Sequence, residues 1–206
     1  MDPLAGIFGS AARVKLLRLF LFNDDYCAPA ADIAKRIAVS TSTLQKELGR
    51  LERTGFLKRK QCTIEGASGR KKKVSGWALD GRFRYTAPLK AFLLSANPMH
   101  SKEIVSTIGK AGSIKLILIS GVFLQNWESR LDILIVGDNI QEKRLESAIK
   151  ALEALLGKEL RFAAFPTKEF EYRLNIYDRL LRDVLDFEHQ VILNKITALY
   201  PQQRRR

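Results

Sequence analysis

Apolar residues between positions 30 and 56 recur at intervals of three and four, which predicts two helices joined by a tight turn. We expect the first helix over residues 30–38 and the second from Ser40 or Thr41 onward, since either hydroxyl can cap a helix. The second helix carries one apolar stripe, formed by Leu44, Leu48 and Leu51. Gly55 follows this helix and can end it in a left-handed conformation.

The face of the second helix opposite this stripe carries small hydroxyls, an amide and three cations, but no acid. These side chains suit hydrogen bonding to base edges and phosphates. The candidate contact residues on this helix are Thr41, Ser42, Thr43, Gln45, Lys46, Arg50 and Arg53. An ordinary solvated helix pair in an unrelated bundle is the alternative, because short helix pairs are common.

A basic β-hairpin is predicted directly after the second helix. Residues 56–64 and 70–74 have the composition of strands, and a turn rich in Gly and Ser joins them at 65–69. The hairpin has a single acid, Glu65, and seven cations, which are Lys58, Arg59, Lys60, Arg70, Lys71, Lys72 and Lys73. We expect antiparallel pairing to bring the two basic clusters side by side, which costs energy unless a phosphate backbone neutralises them. A solvated basic loop is the alternative.

The order of helix, turn, helix and basic hairpin resembles that of the ArsR-like and related winged helix-turn-helix regulators of prokaryotes. The resemblance covers residues 9–79 and depends on order, spacing and charge. It implies that the helix over residues 41–54 enters the major groove of double-stranded DNA. The residues expected to reach bases are Ser42, Thr43, Gln45 and Lys46, whereas Arg50 and Arg53 would contact phosphates. In the hairpin, or wing, Arg70, Lys71 and Lys72 would reach the backbone or the adjacent minor groove.

A helix capped by Ser10 and running to Phe22 is predicted to be apolar over most of its circumference. In the regulators that the chain resembles, the first helix packs under the recognition helix and often against a second subunit. A homodimer is therefore expected, with a long buried core helix as the equal alternative. A dimer would present paired recognition helices to half-sites about one helical turn apart.

Positive charge is concentrated in the first half of the chain. The 206 residues carry a formal net charge of +13, and residues 1–96 contain 18 Lys and Arg against 8 Asp and Glu, whereas residues 97–206 contain 17 against 14. This division favours polyanion binding by the first half. No apolar run approaches the roughly 20 residues that span a bilayer, and no secretion signal is recognisable, so no membrane contact is expected.

The second half of the chain alternates short helices and apolar strands. We expect strands at 114–119, 131–138 and 160–165, and helices at 101–110, 141–156, 167–173 and 177–199. Helices on a small sheet make this half a small α/β domain, so the whole chain is predicted to be α+β. The expected divisions are a DNA-binding domain at 1–80, a connecting helix or linker at 81–100, the α/β domain with C-terminal helices at 101–200 and a basic tail at 201–206.

Residues 116–138 carry a resemblance to the minimal nucleotidyltransferase fold that covers about residues 101–175. In that family a Gly-Ser turn cradles a triphosphate, and an Asp-x-Asp pair on the next strand binds two Mg²⁺ ions. Here the turn is Ser120-Gly121, and Asp132 matches one carboxylate of the pair. Arg130 occupies the position of the other carboxylate, or Leu134 does if Asp132 is taken as the first of the pair. One carboxylate beside a cation cannot organise two divalent ions. The resemblance therefore implies a catalytically inactive relative without metal or cofactor, with Ser120, Gly121, Arg130 and Asp132 as a vestigial nucleotide site.

The cysteines and histidines offer no further chemistry. Cys27 and Cys62 are too few and too far apart for a metal site, so we expect two free thiols in a reducing cytoplasm. His100 and His189 stand without neighbours at metal-ligand spacing, and no Gly-rich phosphate loop is found. A cytoplasmic protein without a cofactor is expected.

These patterns predict a DNA-binding transcriptional regulator. Its inactive nucleotidyltransferase-like domain would serve dimerisation or the sensing of a small molecule or nucleotide. Two hypotheses from other classes stay open. The chain could be an active or weakly active Mg²⁺-dependent nucleotidyltransferase, or an antitoxin-like module that binds a second protein.

Overall fold

The computed structural model describes residues 3–65, 69–95 and 99–196. Within these ranges the protein is a mixed α+β structure, so the predicted class is confirmed. It divides into two compact units, the first formed by residues 1–98 with 150–159 and the second by residues 99–149 with 160–206. The residues outside the described ranges include part of the predicted hairpin turn (66–68), part of the predicted linker (96–98), the end of the predicted last helix (197–199) and the basic tail (201–206).

The helices of the first unit are α1 (Leu4–Phe8), α2 (Ala11–Phe22), α3 (Ala30–Ile37), α4 (Thr41–Arg53) and α5 (Thr86–Ser95). Gly9 separates α1 from α2 because it adopts a left-handed conformation, with φ at 73°. Ser10 caps α2 as predicted, since its Oγ accepts the Arg13 N–H at 3.3 Å. The apolar residues of α2 from Val14 to Leu21 are buried in the core of this unit, which favours the core-helix alternative for α2.

The predicted boundary and stripe of α4 are confirmed. Ser40 caps the helix, because its Oγ accepts the Thr43 N–H at 3.3 Å. Leu44 and Leu48 have no exposed surface and join a core with the isoleucines of α3. Burial of three such leucines contributes roughly 1.5–3 kcal/mol each. This packing fixes which side of α4 faces outward.

The sheet of the first unit has three antiparallel strands in the order β1-β3-β2, namely β1 (Cys27–Ala28), β2 (Leu57–Glu65) and β3 (Lys71–Leu79). The prediction that the two basic clusters lie side by side was wrong. Lys60 pairs with Gly76 at the base of the hairpin, whereas Lys71 pairs with Glu65 near its tip. β3 continues five residues beyond the predicted end at 74, and this extension shifts the clusters to opposite ends of the hairpin.

The prediction of two free thiols was also wrong, because Cys27 and Cys62 form a disulfide with their Cα atoms 5.4 Å apart. The two cysteines lie 35 residues apart in sequence, in the two strands that flank β3. Gly76 of β3 lies between them, and a Cβ there would be 2.5 Å from both Cys62 Sγ and the Ala28 carbonyl oxygen. The bridge is thus accommodated by a strand position without a side chain.

The second unit contains a four-stranded sheet in the order β6-β5-β4-β7. Its elements are α6 (Ser101–Ile108), β4 (Ser113–Ile119), β5 (Ile133–Asp138), α7 (Glu142–Leu156), β6 (Phe162–Phe165), α8 (Thr167–Asn175), α9 (Arg179–Leu185) and β7 (Gln190–Asn194). β4 is antiparallel to β5 and β7, whereas β5 and β6 are parallel. The two central strands are almost fully buried, as their continuous apolar sequences predict. The last part of α7 groups with the first unit.

The prediction that residues 177–199 are mostly helical was wrong beyond Leu185. α9 begins after Asp178, whose carboxylate accepts the N–H groups of Leu180 and Leu181, and it ends at Leu185. Residues 190–194 then form β7, which pairs with β4. A short apolar run cannot be assigned to helix or strand by periodicity alone. The edge of β4 that faces away from β5 decides the assignment. Its backbone N–H and C=O groups need hydrogen-bond partners, and residues 190–194 supply them as a strand.

Candidate nucleic-acid interface

All the predicted contact residues of α4 are solvent-exposed. They are Thr41, Ser42, Thr43, Gln45, Lys46, Arg50 and Arg53. The hydroxyls at the start of the helix form one network, in which Ser40 Oγ lies 2.9 Å from Thr43 Oγ1 and 3.2 Å from Ser42 Oγ. This network orients the two side chains at the end of the helix where its backbone N–H groups point outward.

A buried carboxylate lies behind this exposed face. Glu47 is 4% exposed, and its two oxygens accept from Arg13 Nε at 2.8 Å and from Arg50 Nη1 at 3.0 Å. Burial alone would raise the pKa of Glu47, but the hydrogen bond from Arg13 and the charges of Arg13 and Arg50 outweigh it and lower the pKa. The acid therefore stays ionised and is compensated internally.

Sequence reasoning missed the joint role of Arg13 and Glu47. Arg50 was predicted to contact a phosphate, and part of its guanidinium instead binds Glu47, although half of its side chain remains exposed. The spacing of three residues between Glu47 and Arg50, with Glu47 next to the buried Leu48, was the available sequence signal. Nothing in the local sequence indicated Arg13, which comes from α2.

The hairpin presents its cations in two different settings. At the base, Lys58 Nζ lies 3.3 Å from the Asp80 carboxylate, and the Arg59 guanidinium stacks over the Trp77 ring at 4.0 Å. Trp77 is only 2% exposed and packs in the core of this unit. Near the tip, the predicted wing residues Arg70, Lys71 and Lys72 are all exposed. Arg59 and Lys60 at the base are exposed as well, so both ends of the hairpin carry accessible positive charge, although Asp80 and Glu52 partly neutralise the base.

Both oxygens of the Asp132 carboxylate in the second unit accept hydrogen bonds from within the protein. It is 2% exposed, and Oδ1 accepts from Val122 N at 2.8 Å and Arg161 Nη2 at 3.2 Å. Oδ2 accepts from Arg161 N at 2.8 Å and Arg161 Nε at 3.1 Å. Gly121, with φ at 55°, lies so close to Oδ1 that no side chain fits there. All four acceptor positions of this carboxylate are used within the protein.

The structure brings together three of the four residues of the predicted vestigial site. Ser120 is buried, its Oγ donates to the Leu131 carbonyl at 2.5 Å, and its N–H donates to the Asp132 carbonyl at 2.9 Å. Arg130 points elsewhere and pairs with Asp183, with Nε and Oδ2 2.9 Å apart. The cation beside Asp132 is Arg161 rather than Arg130. Parallel pairing of Ile133 with Phe162 places Arg161 there, which no sequence pattern revealed.

A cavity of about 700 Å³ lies at the other end of β5, beside Asp138. Asp138 accepts from Lys115 Nζ at 2.6 Å and from Thr167 N at 3.1 Å, and these contacts lower its pKa to about 2. The wall of the cavity includes Phe162 and Leu145. It opens at the carboxyl ends of two parallel strands, the usual place for ligands in such sheets.

Metal-binding clusters and membrane-spanning helices are absent from residues 3–65, 69–95 and 99–196. No group of three or more His, Cys, Asp or Glu side chains among them could hold a metal ion. No helix in these ranges is both long and apolar enough to cross a bilayer. Comparison of the sequence with models of known protein families gives no match, and comparison with curated proteins gives none either.

Proposed function

We propose that the protein is a DNA-binding transcriptional regulator whose first unit is a winged helix-turn-helix. In this proposal α3 and α4 form the helix pair, α4 is the recognition helix, and β2 with β3 forms the wing. The observation that carries it is the sorting of charge on α4. The side opposite the leucine stripe bears hydroxyls, an amide and cations, whereas Glu47 is buried between Arg13 and Arg50. The exposed acid of the helix, Glu52, lies beside the stripe and pairs with Arg59 of β2 at 3.7 Å.

The contacts proposed for DNA divide into two kinds. Ser42, Thr43, Gln45 and Lys46 in the first turns of α4 would reach base edges in the major groove, with Thr41 at the helix start. Arg53 and the remaining N–H groups of Arg50 would contact phosphates, as would Arg70, Lys71 and Lys72 at the wing tip. The net positive charge of residues 1–96 supports phosphate binding by this half.

Base contact is tested with Lys46→Ala on duplexes enriched from a randomised pool. We expect this change to weaken binding by about 1–3 kcal/mol, the range for removal of one base contact. Fluorescence anisotropy at fixed salt measures the affinity. Lys102→Ala is the matched control, because Lys102 is an exposed lysine of α6 and its replacement changes net charge equally. Equal effects in the two variants would contradict the assignment of Lys46.

Phosphate contact is tested by replacing Arg70, Lys71 and Lys72 together with Ala. The slope of log affinity against log salt should become shallower by about 0.9 for each phosphate group that the variant no longer neutralises. The matched control replaces Lys102, Lys143 and Arg144, which are exposed residues of the second unit with the same total charge. Binding that does not depend on salt in the unchanged protein would overturn the DNA-binding proposal itself.

We also propose that the second unit is a nucleotidyltransferase-like domain without catalytic activity. The support is that Arg161 and two backbone N–H groups occupy the Asp132 carboxylate, which would otherwise have to bind a cation. We expect no transfer of nucleoside monophosphate in the presence of Mg²⁺. Turnover that Asp132→Asn abolishes, in a variant that unfolds at the same temperature, would establish the enzyme hypothesis instead.

The sensing role proposed for this unit fits the cavity beside Asp138 better than the Ser120–Asp132 turn. The cavity has about 700 Å³ of space, whereas the turn is closed by its own hydrogen bonds. A small-molecule effector would therefore bind next to Phe162 and Leu145. The acids of the wall, Asp138, Glu142 and Glu146, disfavour an anionic nucleotide there. Leu145→Trp should fill this space and abolish any effector response without changing the affinity for DNA.

The homodimer is proposed to form through α1 and α5 rather than through α2. Ile7 of α1 is 73% exposed and Phe92 of α5 is 44% exposed. The two helices meet at Phe8, whose ring lies 6.4 Å from that of Phe92. Sedimentation of the unchanged protein and of Ile7→Asp tests this surface, and we expect the variant to sediment as a monomer.

A further inference from the structure

A concave site on the first unit is lined by three arginines. Arg13 of α2 and Arg50 and Arg53 of α4 line a shallow, widely open cavity of about 520 Å³, together with Leu51 and Thr54. Leu51 is almost fully buried and forms an apolar wall. The Arg13 side chain is 25% exposed and that of Arg50 is 54% exposed, and Arg53 is exposed as well. Three guanidinium groups around one concavity need an explanation, because like charges repel each other.

Glu47 holds two of these guanidinium groups in place. One carboxylate oxygen binds Arg13 Nε at 2.8 Å, and the other binds Arg50 Nη1 at 3.0 Å. Arg13 Nη1 also donates to the Phe8 carbonyl at 2.6 Å. Arg13 is thus fixed from two sides, and charge-assisted contacts of this kind are the stronger ones. The cavity is preorganised by a carboxylate that is itself buried.

These contacts use only part of the hydrogen-bonding capacity of the arginines. A guanidinium group has five N–H donors. Hydrogen bonds among the described residues take two N–H groups of Arg13, one of Arg50 at Glu47, and one of Arg53, whose Nε donates to the Gly49 carbonyl at 3.3 Å. Further donors of all three remain for a ligand. Three cations and one carboxylate leave a local charge of +2, which also exceeds the partial negative charge at the end of α4.

We propose that this Arg13–Arg50–Arg53 cavity binds one phosphate group. Planar guanidinium forks match the paired oxygens of phosphate, and a dianion would balance the local charge. The phosphate could belong to the DNA backbone beside the α4 contact or to a free phosphate-bearing ligand. The inference deepens the proposed function, because Arg50 and Arg53 belong to the proposed DNA-binding face, and it adds Arg13 as a binding residue and Glu47 as a positioning residue.

The test compares Arg13→Gln with Arg36→Gln in the full chain. Arg36 is the matched control, because its side chain is 23% exposed and pairs with Glu159 at 2.9 Å, but it does not line the cavity. One measurement is the salt dependence of duplex binding. The other is the shift in unfolding temperature that inorganic phosphate causes, relative to chloride at equal ionic strength.

If the phosphate comes from DNA, Arg13→Gln should make the salt slope shallower by about one, whereas Arg36→Gln should not change it. If the phosphate is free, inorganic phosphate should raise the unfolding temperature of the unchanged protein and of Arg36→Gln, but not of Arg13→Gln. Glu47→Gln should weaken phosphate binding in either case, because the guanidinium groups of Arg13 and Arg50 are no longer held in place. A merely structural role for Glu47 would lower the unfolding temperature without phosphate but leave the phosphate-induced shift and the salt slope unchanged.

The proposal is overturned if Arg13→Gln and Arg36→Gln give the same slope and the same response to phosphate, or if Glu47→Gln leaves both the salt slope and the response to phosphate unchanged. Should Arg13→Gln fail to fold, Arg13→Lys keeps a cation beside Glu47 but removes the fork. Because the retained charge preserves the salt slope, the comparison with Arg36→Lys is then made on duplex affinity at fixed salt and on the phosphate-induced shift in unfolding temperature. If the unchanged protein responds to phosphate but does not bind duplexes, the proposed function fails and the phosphate-binding proposal is kept. If the protein binds duplexes with a salt slope that Arg13→Gln does not change, and does not respond to phosphate, the phosphate-binding proposal fails and the proposed function is kept.

Discussion

Single residues decide how closely the strands and helices of this protein approach each other. Gly76 is the clearest case, because the Ala28 carbonyl oxygen and Cys62 Sγ occupy the space that a side chain would take. Gly49 differs from it, since a Cβ added there meets no atom within 4 Å. Two glycines of one unit therefore serve different purposes, and only one of them is required by packing.

Gly76→Ala and Gly49→Ala should change the stability of the first unit in opposite directions. We expect Gly76→Ala to destabilise the first unit by about 1–3 kcal/mol, the usual range for overpacking. Gly49→Ala should instead stabilise α4 by about 0.5–1 kcal/mol, because glycine is a poor helix former. Urea unfolding measures both changes. A neutral effect at Gly76 would mean that the neighbouring backbone moves aside without strain.

Because of Glu47, we expect the free energy of unfolding to decrease at acidic pH. Its pKa is lower in the folded state than in the unfolded chain, despite its burial, because Arg13 and Arg50 compensate its charge. The stabilisation is therefore present above the unfolded pKa of about 4.3 and is lost as pH falls through the lower folded value. The free energy of unfolding of the unchanged protein should fall more between pH 7 and pH 3 than that of Glu47→Gln. Parallel curves for the two proteins would contradict this assignment.

At the scale of elements, the hairpin depends on its disulfide as well as on its register. β1 is only two residues long, yet the Cys27–Cys62 bridge ties it to β2. The register keeps Lys58, Arg59 and Lys60 away from Lys71, Lys72 and Lys73. The like-charge repulsion predicted from the sequence is thus reduced by geometry rather than only by a bound polyanion.

The prediction for this element is that joint replacement of Cys27 and Cys62 by Ala destabilises the first unit. A bridge that closes a loop of this length contributes about 2–4 kcal/mol by restricting the unfolded chain. Urea unfolding with and without a thiol reductant measures the effect. The reductant should lower the stability of the unchanged protein and leave the double variant as it is. Insensitivity of the unchanged protein would rule out a stabilising bridge.

At the scale of the whole molecule, the first unit is not continuous in sequence. It includes residues 150–159, whose contacts lie with α2 and its neighbours. Asn23 Nδ2 donates to the Gly157 carbonyl at 2.7 Å, and Arg18 Nη1 donates to the Leu155 carbonyl at 3.2 Å. Gly157 has φ at 74°, and a Cβ added to it would lie 2.7 Å from the carbonyl carbon of Arg18. This segment is an integral part of the first unit.

We therefore predict that a fragment of residues 1–98 is less stable than the same unit within the full chain. The fragment lacks the two helix-end hydrogen bonds and the ion pair between Arg36 and Glu159. The urea midpoint of the fragment should rise again when a peptide of residues 142–160 is added, because binding to the folded state stabilises it. An isolated fragment with unchanged stability would show that residues 150–159 are dispensable.

The sequence by itself determined the local elements and their faces. The leucine spacing of α4, its Ser40 cap and the apolar runs of β4 and β5 depend on neighbours in sequence, and each agrees with the structure. The exposed residues of the α4 face followed from the same periodicity. The DNA-binding role that was inferred from them stays a proposal.

Only the tertiary structure decided which distant groups meet. The Cys27–Cys62 bridge, Arg161 on Asp132, Arg13 on Glu47 and the pairing of β7 with β4 each join residues far apart in the chain. Periodicity reports which side of an element is buried, but it carries no information on what that side will touch. Strand register and helix packing supply that information, and they form only when the whole unit folds.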